Sequence, residues 1–316
     1  MRARSNVSIS GLSCVLILPV RASTLSACLL AARPKTLPAA IVPVWVACVL
    51  AWKLTGRFDL RLAVCTVGGA LAIQIATNFF NDAIDSHKGA DTARRLGPRR
   101  VTASGLLPAR TVLVWALGFL TLALLFGIIL YQARGWPILA IGVPSLFLAY
   151  GYTGGPFPLA YRGLGEVFVI LFFGFIAVAG SVFIQTGAWP AAAWLLGLQI
   201  GLLSAVLISI NNLRDRAEDA STGKRTLAVR CGHSAGVAVI GVELAGAAGA
   251  GLAWIALGHG PLAAAGLPIV LLGRGILHGV RTQPPGPAFN RLLALGGVLL
   301  LLFAAAFHLA AGLLND

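Results

Sequence analysis

Hydrophobic positions along the chain fall into long unbroken runs, not into alternating or one-faced stripes. Nine runs come near the ~20 residues needed to cross a ~30 Å hydrocarbon core. They cover about 36–52, 62–80, 111–131, 136–153, 164–184, 190–210, 235–257, 261–280 and 292–314. The first is short and contains Pro43, so its limits are the least defined. Continuous Leu- and Ala-rich runs exclude membrane strands, which alternate apolar and polar positions. The pattern predicts an all-α integral membrane protein, a bundle of nine transmembrane helices.

Composition agrees: 58% of residues are hydrophobic and 11% charged, where ordinary soluble domains carry roughly 25% charged residues. Net charge is +14, but its placement points to a membrane and not to nucleic acid. Of the 24 Lys and Arg, only Lys53, Arg57, Arg61 and Arg134 fall in the loops opposite the N-terminus. That imbalance places the N-terminus and the loops after even-numbered spans in the cytoplasm. The start, "MRARSNVSISGLSCVLILPVRAS", has the basic-then-apolar order of a weak signal peptide. The reading adopted is a cytoplasmic, poorly ordered extension over 1–32, followed by one membrane domain over 33–316. The five cysteines lack metal or redox spacing.

Against this background the acids stand out. Asp82, Asp85 and Asp91 follow the second run in "NFFNDAIDSHKGAD", and Asp215, Glu218 and Asp219 follow the sixth in "SINNLRDRAEDASTGKRT". Together they are six of only ten acids. Asn78 and Asp82 are four apart, as are Asn211 and Asp215, which is one neighbour step on a helix face. The parity of the runs puts both clusters on the cytoplasmic side, and their likeness suggests two weakly related halves. Like charges at this spacing repel, so a cation is expected between them. Mg²⁺ fits, because it takes one or two carboxylates and completes its shell with phosphate oxygens. Asn78, Asn81 and Asn211 add neutral oxygens. Lys88, Arg94, Arg95, Arg99, Arg100, Lys224 and Arg225 supply anion receptors on the same loops. No Walker-type glycine loop is present, so a nucleoside triphosphate is not indicated.

The third loop of this face reads "YGYTGGPFPLAYRGLGE". Its tyrosines, Tyr152 among them, are either interfacial belt residues or a wall against a substrate together with Arg162. Glu243 falls inside the seventh run, where a charge costs ~2.5–3.5 kcal/mol at the bilayer centre. It is either protonated or turned to the bundle interior.

These motifs resemble the UbiA superfamily of intramembrane prenyltransferases. Within it, "ARPKTLPAA", "RRLGPRRVTASGLL", "YTGGPFPLAYRGLGE" and "NNLRDRAEDASTGKRTLAVRCG" are similar to the naphthoate branch (MenA), the 1,4-dihydroxy-2-naphthoate polyprenyltransferases. The resemblance implies a UbiA-like bundle around a cavity, with the Asp motifs under a cytoplasmic cap. It implies that Asp82, Asp85, Asp215 and Asp219 hold Mg²⁺, as two ions bridging a prenyl diphosphate. Asn78, Asn81 and Asn211 would support them, and Asp91 would extend the first motif although it sits six residues beyond Asp85. Lys88, Arg94, Tyr152, Lys224 and Arg225 would bind substrate. Many relatives carry Tyr-x-x-x-Lys in the third loop. Here Gly154 stands where that Lys would be, which makes Arg162 the candidate replacement. The implied reaction, in the bacterial cytoplasmic membrane, joins a polyprenyl group to dihydroxynaphthoate with loss of CO₂ and diphosphate, a step of menaquinone biosynthesis. The alternatives are a relative acting on 4-hydroxybenzoate or homogentisate, and, from another class, a transporter. The last should gather its polar groups near the bilayer midplane, whereas these acids lie at helix ends.

Overall fold

A computed structural model describes residues 24–89, 96–97 and 100–314, and every element in it is helical. A short helix α1 (Thr24–Ala32) precedes α2 (Pro38–Thr55), α3 (Leu60–His87), α4 (Ala109–Arg134) and α5 (Pro137–Gly151). Then come α6 (Gly165–Thr186), α7 (Ala191–Arg214), the small α8 (Arg216–Ser221), α9 (Leu227–Ala256), α10 (Gly260–Thr282) and α11 (Phe289–Gly312). Eight of these are long and apolar enough to cross a membrane, and α5, with 15 residues, is a shorter apolar helix. The eight long helices correspond to eight of the nine expected runs, and α5 corresponds to 136–153.

Local chemistry sets the boundaries. Pro38 and Pro137 open α2 and α5, where the missing N–H costs nothing. Gly56 ends α2 in the left-handed region at φ 66°. Asp59 caps α3 by accepting the Leu62 N–H at 3.0 Å. The 28 residues of α3 reach ~42 Å at 1.5 Å per residue, so the helix outruns the apolar stretch 62–80. Its last turns, Asn78 to Asp85, form its polar end.

Packing centres on α7, the most buried span. Its Leu196, Ile200, Leu203 and Ile210 meet Val46 and Leu50 of α2, Ile240 of α9 and Phe303 and Phe307 of α11 in the main apolar core. Trp254 is fully buried beside them, and its indole donates to Gln199 Oε1 at 2.7 Å. A second cluster joins α3 to α4 through Phe79, Phe80, Val112 and Ala116, and takes in Ala27, Cys28 and Ala31 of α1. Thus residues 24–32, at the end of the expected extension, form a helix packed on the domain. Residues 1–23 lie outside the described part.

α6 and α7 approach backbone to backbone. α6 is wound as a π-helix over Ile170–Ala179. A Cβ on Gly174 would stand 2.4 Å from the Gly197 carbonyl oxygen and 2.7 Å from the Gly201 Cα. Small residues let membrane helices touch backbone to backbone. Gly174→Leu is therefore expected to separate the two helices and to destabilise the fold by at least ~1–3 kcal/mol. Thermal unfolding in detergent checks this against Gly249→Ala, whose Cβ meets nothing within 4 Å and should leave the midpoint unchanged.

Candidate active site

A cavity of about 1310 Å³ runs through the bundle. Ordinary ligand pockets hold ~300–1,000 Å³, so this one suits a long ligand. Asn81 and Asp85 of α3, Asn211 of α7, and Asp215 and Asp219 just beyond it line one end; Thr66, Ile138 and Ile184 lie toward the other. Nineteen residues of α3 separate Thr66 from Asp85, a reach of ~28 Å at 1.5 Å per residue. Between them the lining is mostly apolar, from Ala70 and Ile73 of α3 to Phe168 and Phe172 of α6.

The polar end is a set of paired charges. Asp85 is buried; its Oδ1 accepts from the Tyr161 hydroxyl at 3.0 Å. Its Oδ2 accepts from Arg100 Nη2 at 2.9 Å and from Lys224 Nζ at 3.4 Å. The Lys88 and Lys224 ammonium groups stand 4.4 and 5.2 Å from the centre of the Tyr161 ring. Lys88 also donates to the Thr153 carbonyl at 2.7 Å. Burial lowers the Lys88 pKa; Asp85 opposes the shift and Lys224 adds to it. Asp215 is held by its neighbour Arg214, Nε on Oδ1 at 2.7 Å and Nη2 on Oδ2 at 2.6 Å. Arg214 Nη2 also donates to Asn211 Oδ1 at 2.7 Å. Asp219 is buried, and its carbonyl accepts the Lys224 N–H at 2.9 Å, which folds the loop back toward the first cluster. Asn81 accepts a short hydrogen bond from the Thr153 hydroxyl. Tyr152 lines the wall; desolvation, chiefly, and then the Glu166, Asp85 and Asp219 carboxylates raise the pKa of its phenol.

The structure thus brings Asn78, Asn81, Asp85, Asn211, Asp215, Asp219, Tyr152 and Lys224 to one wall, with Lys88 beside it. Asn78 is a tie: its Nδ2 donates to the Ala32 carbonyl at 2.9 Å and to Thr36 Oγ1 at 3.1 Å. Besides Lys88, three expected site residues stand off the cavity lining. Asp82 is turned away, with both oxygens on backbone amides. Arg162 is exposed and lies 3.4 Å from the centre of the Phe157 ring, so the vacancy left by Gly154 is not filled from there. Arg225 is exposed, and its N–H bonds the Tyr161 carbonyl. Asp91 and Arg94 lie outside the described residues. Arg214 is the addition, and its position next to Asp215 was the available signal; Arg100, one of the expected anion receptors, and Tyr161, one of the third-loop tyrosines, both bond Asp85. Glu243 faces the bundle interior, where Oε1 accepts from the Ser209 hydroxyl at 2.8 Å. Glu166, at the start of α6, accepts from Asn212 Nδ2 at 2.9 Å.

Among the described residues no three carboxylate, imidazole or thiol groups converge on one point. Mg²⁺ does not need such a cage, since it takes one or two carboxylates and leaves the remaining positions to phosphate and water. The donors lining this end (Asp85, Asn81, Asn211, Asp215 and Asp219) offer hard oxygens, and no thiol or imidazole stands among them. The donor set fits that ion.

Comparison with known proteins agrees with this geometry. The pattern of the UbiA prenyltransferase family matches residues 40–296. The 1,4-dihydroxy-2-naphthoate octaprenyltransferase of Bacillus subtilis is 36% identical over 214 residues, covering 67% of this chain and 68% of the relative. The enzyme of that name from Escherichia coli is 37% identical over 209 residues, covering 64% and 67%. A UbiA homolog from Archaeoglobus fulgidus, solved with DMAPP and Mg²⁺, shares the fold with a TM-score of 0.61. It is 16% identical over 92% of this chain and 100% of that one.

Proposed function

Since this chain belongs to the UbiA prenyltransferase family, we propose that it transfers a polyprenyl group from an allylic diphosphate to 1,4-dihydroxy-2-naphthoate, releasing CO₂ and diphosphate. The observation that carries the reading is the meeting of acids from α3 and from the end of α7 at the mouth of one long apolar cavity. The naphthoate enzymes at 36% and 37% identity support the choice of acceptor. The excess of Lys and Arg on this face supports a site open to the cytoplasm. The full reading has α5 as a ninth span and the matching ends of α3 and α7 as relics of duplicated halves.

Asp85, Asp215 and Asp219, with Asn81 and Asn211, would hold Mg²⁺, two ions in the full reading. Bound there, Mg²⁺ would supply Lewis-acid neutralisation of the leaving diphosphate. Lys224 and Arg100, now on Asp85, sit where they can turn to phosphate oxygens, and Lys88 lies next to them. Cation donors already in place stabilise negative charge as it develops, without costly reorganisation. Breaking of the allylic C–O bond leaves an allyl cation, and the apolar walls keep water from capturing it. The ring attacks through the carbon that bears its carboxylate. That carbon becomes tetrahedral and regains aromaticity by losing CO₂.

The test follows from that last step. Acceptor labelled in the carboxyl carbon is expected to release labelled CO₂ one for one with diphosphate, only when prenyl donor and Mg²⁺ are both present. A prenylated product that keeps its label would overturn the naphthoate assignment and leave an aromatic prenyltransferase acting on a 4-hydroxybenzoate-type acceptor.

A further inference from the structure

We infer that Asp82 is a positioning residue, which fixes the Arg100 arm over Asp85, and not a ligand of the metal ion or of the diphosphate; the role of that arm rests on the function proposed above. Asp82 and Asp85 belong to one motif, and three residues leave two helix positions ~60° apart, as neighbours, yet their side chains take different partners. Asp85 lines the cavity. Asp82 is 1% exposed and faces the segment that enters α4.

Its two oxygens there accept from consecutive backbone amides, Oδ2 from Val101 N–H at 2.9 Å and Oδ1 from Thr102 N–H at 2.8 Å. A planar carboxylate that takes two successive amides fixes both peptide planes at once, and such bonds to an ionised acceptor are strong. The segment is closed by its own bonds, Ser104 N–H to the Arg100 carbonyl at 3.1 Å and Leu106 N–H to the Val101 carbonyl at 3.0 Å. Val101 is fully buried against Phe79, Phe80 and Val112. Arg100 leaves this anchored turn and places Nη2 2.9 Å from Asp85, with both side chains nearly free of solvent contact.

To reach a metal in the cavity, Asp82 would have to turn off these amides and leave them without their acceptors. Replacement by Asn separates the two roles. Asn can accept one amide, but its own NH₂ then opposes the other. The turn loosens while the site keeps Asp85, Asp215 and Asp219.

The experiment uses the full-length purified protein and its Asp82→Asn, Asp85→Asn and Arg100→Gln variants. Mn²⁺ with inorganic diphosphate serves as the metal probe, read by electron paramagnetic resonance. Asp82→Asn is expected to leave Mn²⁺ affinity as in the parent, whereas Asp85→Asn weakens it. Hydrogen exchange should accelerate at the Val101 and Thr102 amides in Asp82→Asn alone. The KM for prenyl diphosphate should rise about tenfold in Asp82→Asn, the loss expected for one charge-assisted contact. Because Asp82 acts through Arg100, the same substitution should add little in an Arg100→Gln background.

A loss of Mn²⁺ affinity in Asp82→Asn equal to that of Asp85→Asn overturns the inference, as does full additivity with Arg100→Gln. Should Asp82→Asn fail to fold, Arg100→Gln alone decides: the raised KM with unchanged amide exchange supports the arm, and an unchanged KM overturns it. If the parent transfers no prenyl group, the proposed function falls, while metal affinity and exchange still judge the role of Asp82.

Discussion

Asp85→Asn is expected to reduce prenyl transfer at least ~100-fold, the scale seen when one preorganised electrostatic contact is removed from a charged transition state. The protein should remain folded in the membrane. Asp85 is the meeting point of the site, because Tyr161, Arg100 and Lys224 all bond to it from three different segments. Asn keeps the shape, loses the charge that holds these cations together, and offers a metal one weak oxygen in place of two. Asp219→Asn should show a loss of similar size from the opposite loop. Radiolabelled donor assayed in membranes with graded Mg²⁺ reads the effect, and chelator should abolish parent activity until Mg²⁺ is restored. Near-normal rates in both variants would reduce the clusters to buried structural contacts.

The second large effect concerns the tail. Ala70 lines the cavity fifteen residues before Asp85 on α3, ~22 Å along the helix. A Trp there fills the passage well below the diphosphate end. Ala70→Trp is expected to stop use of long polyprenyl diphosphates while dimethylallyl diphosphate still reacts at close to the parent rate. The ratio of kcat/KM for the two donors, measured in one preparation, gives the answer. An equal loss for both would mean that the tail does not run along α3.

The two acid clusters, their shared face and the approximate spans were legible because each depends on local hydropathy and on parity along the chain. What the chain hides is rotation and docking. Asp82 and Asp85 look equivalent as a motif, yet which of them faces the cavity depends on where the turn at 100–106 packs. Arg162 stood beside promising tyrosines, but the turn at Gly163 (φ 71°) and its stacking on Phe157 keep it apart. Tyr161 reads equally as an interfacial aromatic or as part of a substrate wall, and only the fold places its hydroxyl on Asp85. The π-helical stretch Ile170–Ala179 has no hydropathy signature, since it changes the winding and not the composition. The apolar run 62–80 stopped short of the end of α3 because polar residues can continue a helix once it has left the lipid.

The brevity of α5 bears on the surrounding lipid. Fifteen residues span ~22 Å, less than the ~30 Å hydrocarbon thickness. Such a mismatch is met by thinning the bilayer beside the helix or by sinking irregular backbone to membrane depth where protein satisfies it. The segment after α5 provides for the second: Lys88 bonds the Thr153 carbonyl, Ala160 N–H bonds the Tyr152 carbonyl, and Arg225 N–H bonds the Tyr161 carbonyl. Thinning would bring the headgroup layer toward Asn81 and Asp85 on this side of the bundle, and sunken backbone would bring satisfied polar groups to the same depth. Under the function proposed above, a lipid-borne diphosphate would reach the charged end while its own chain stays in the hydrocarbon, with no extraction of the tail into water.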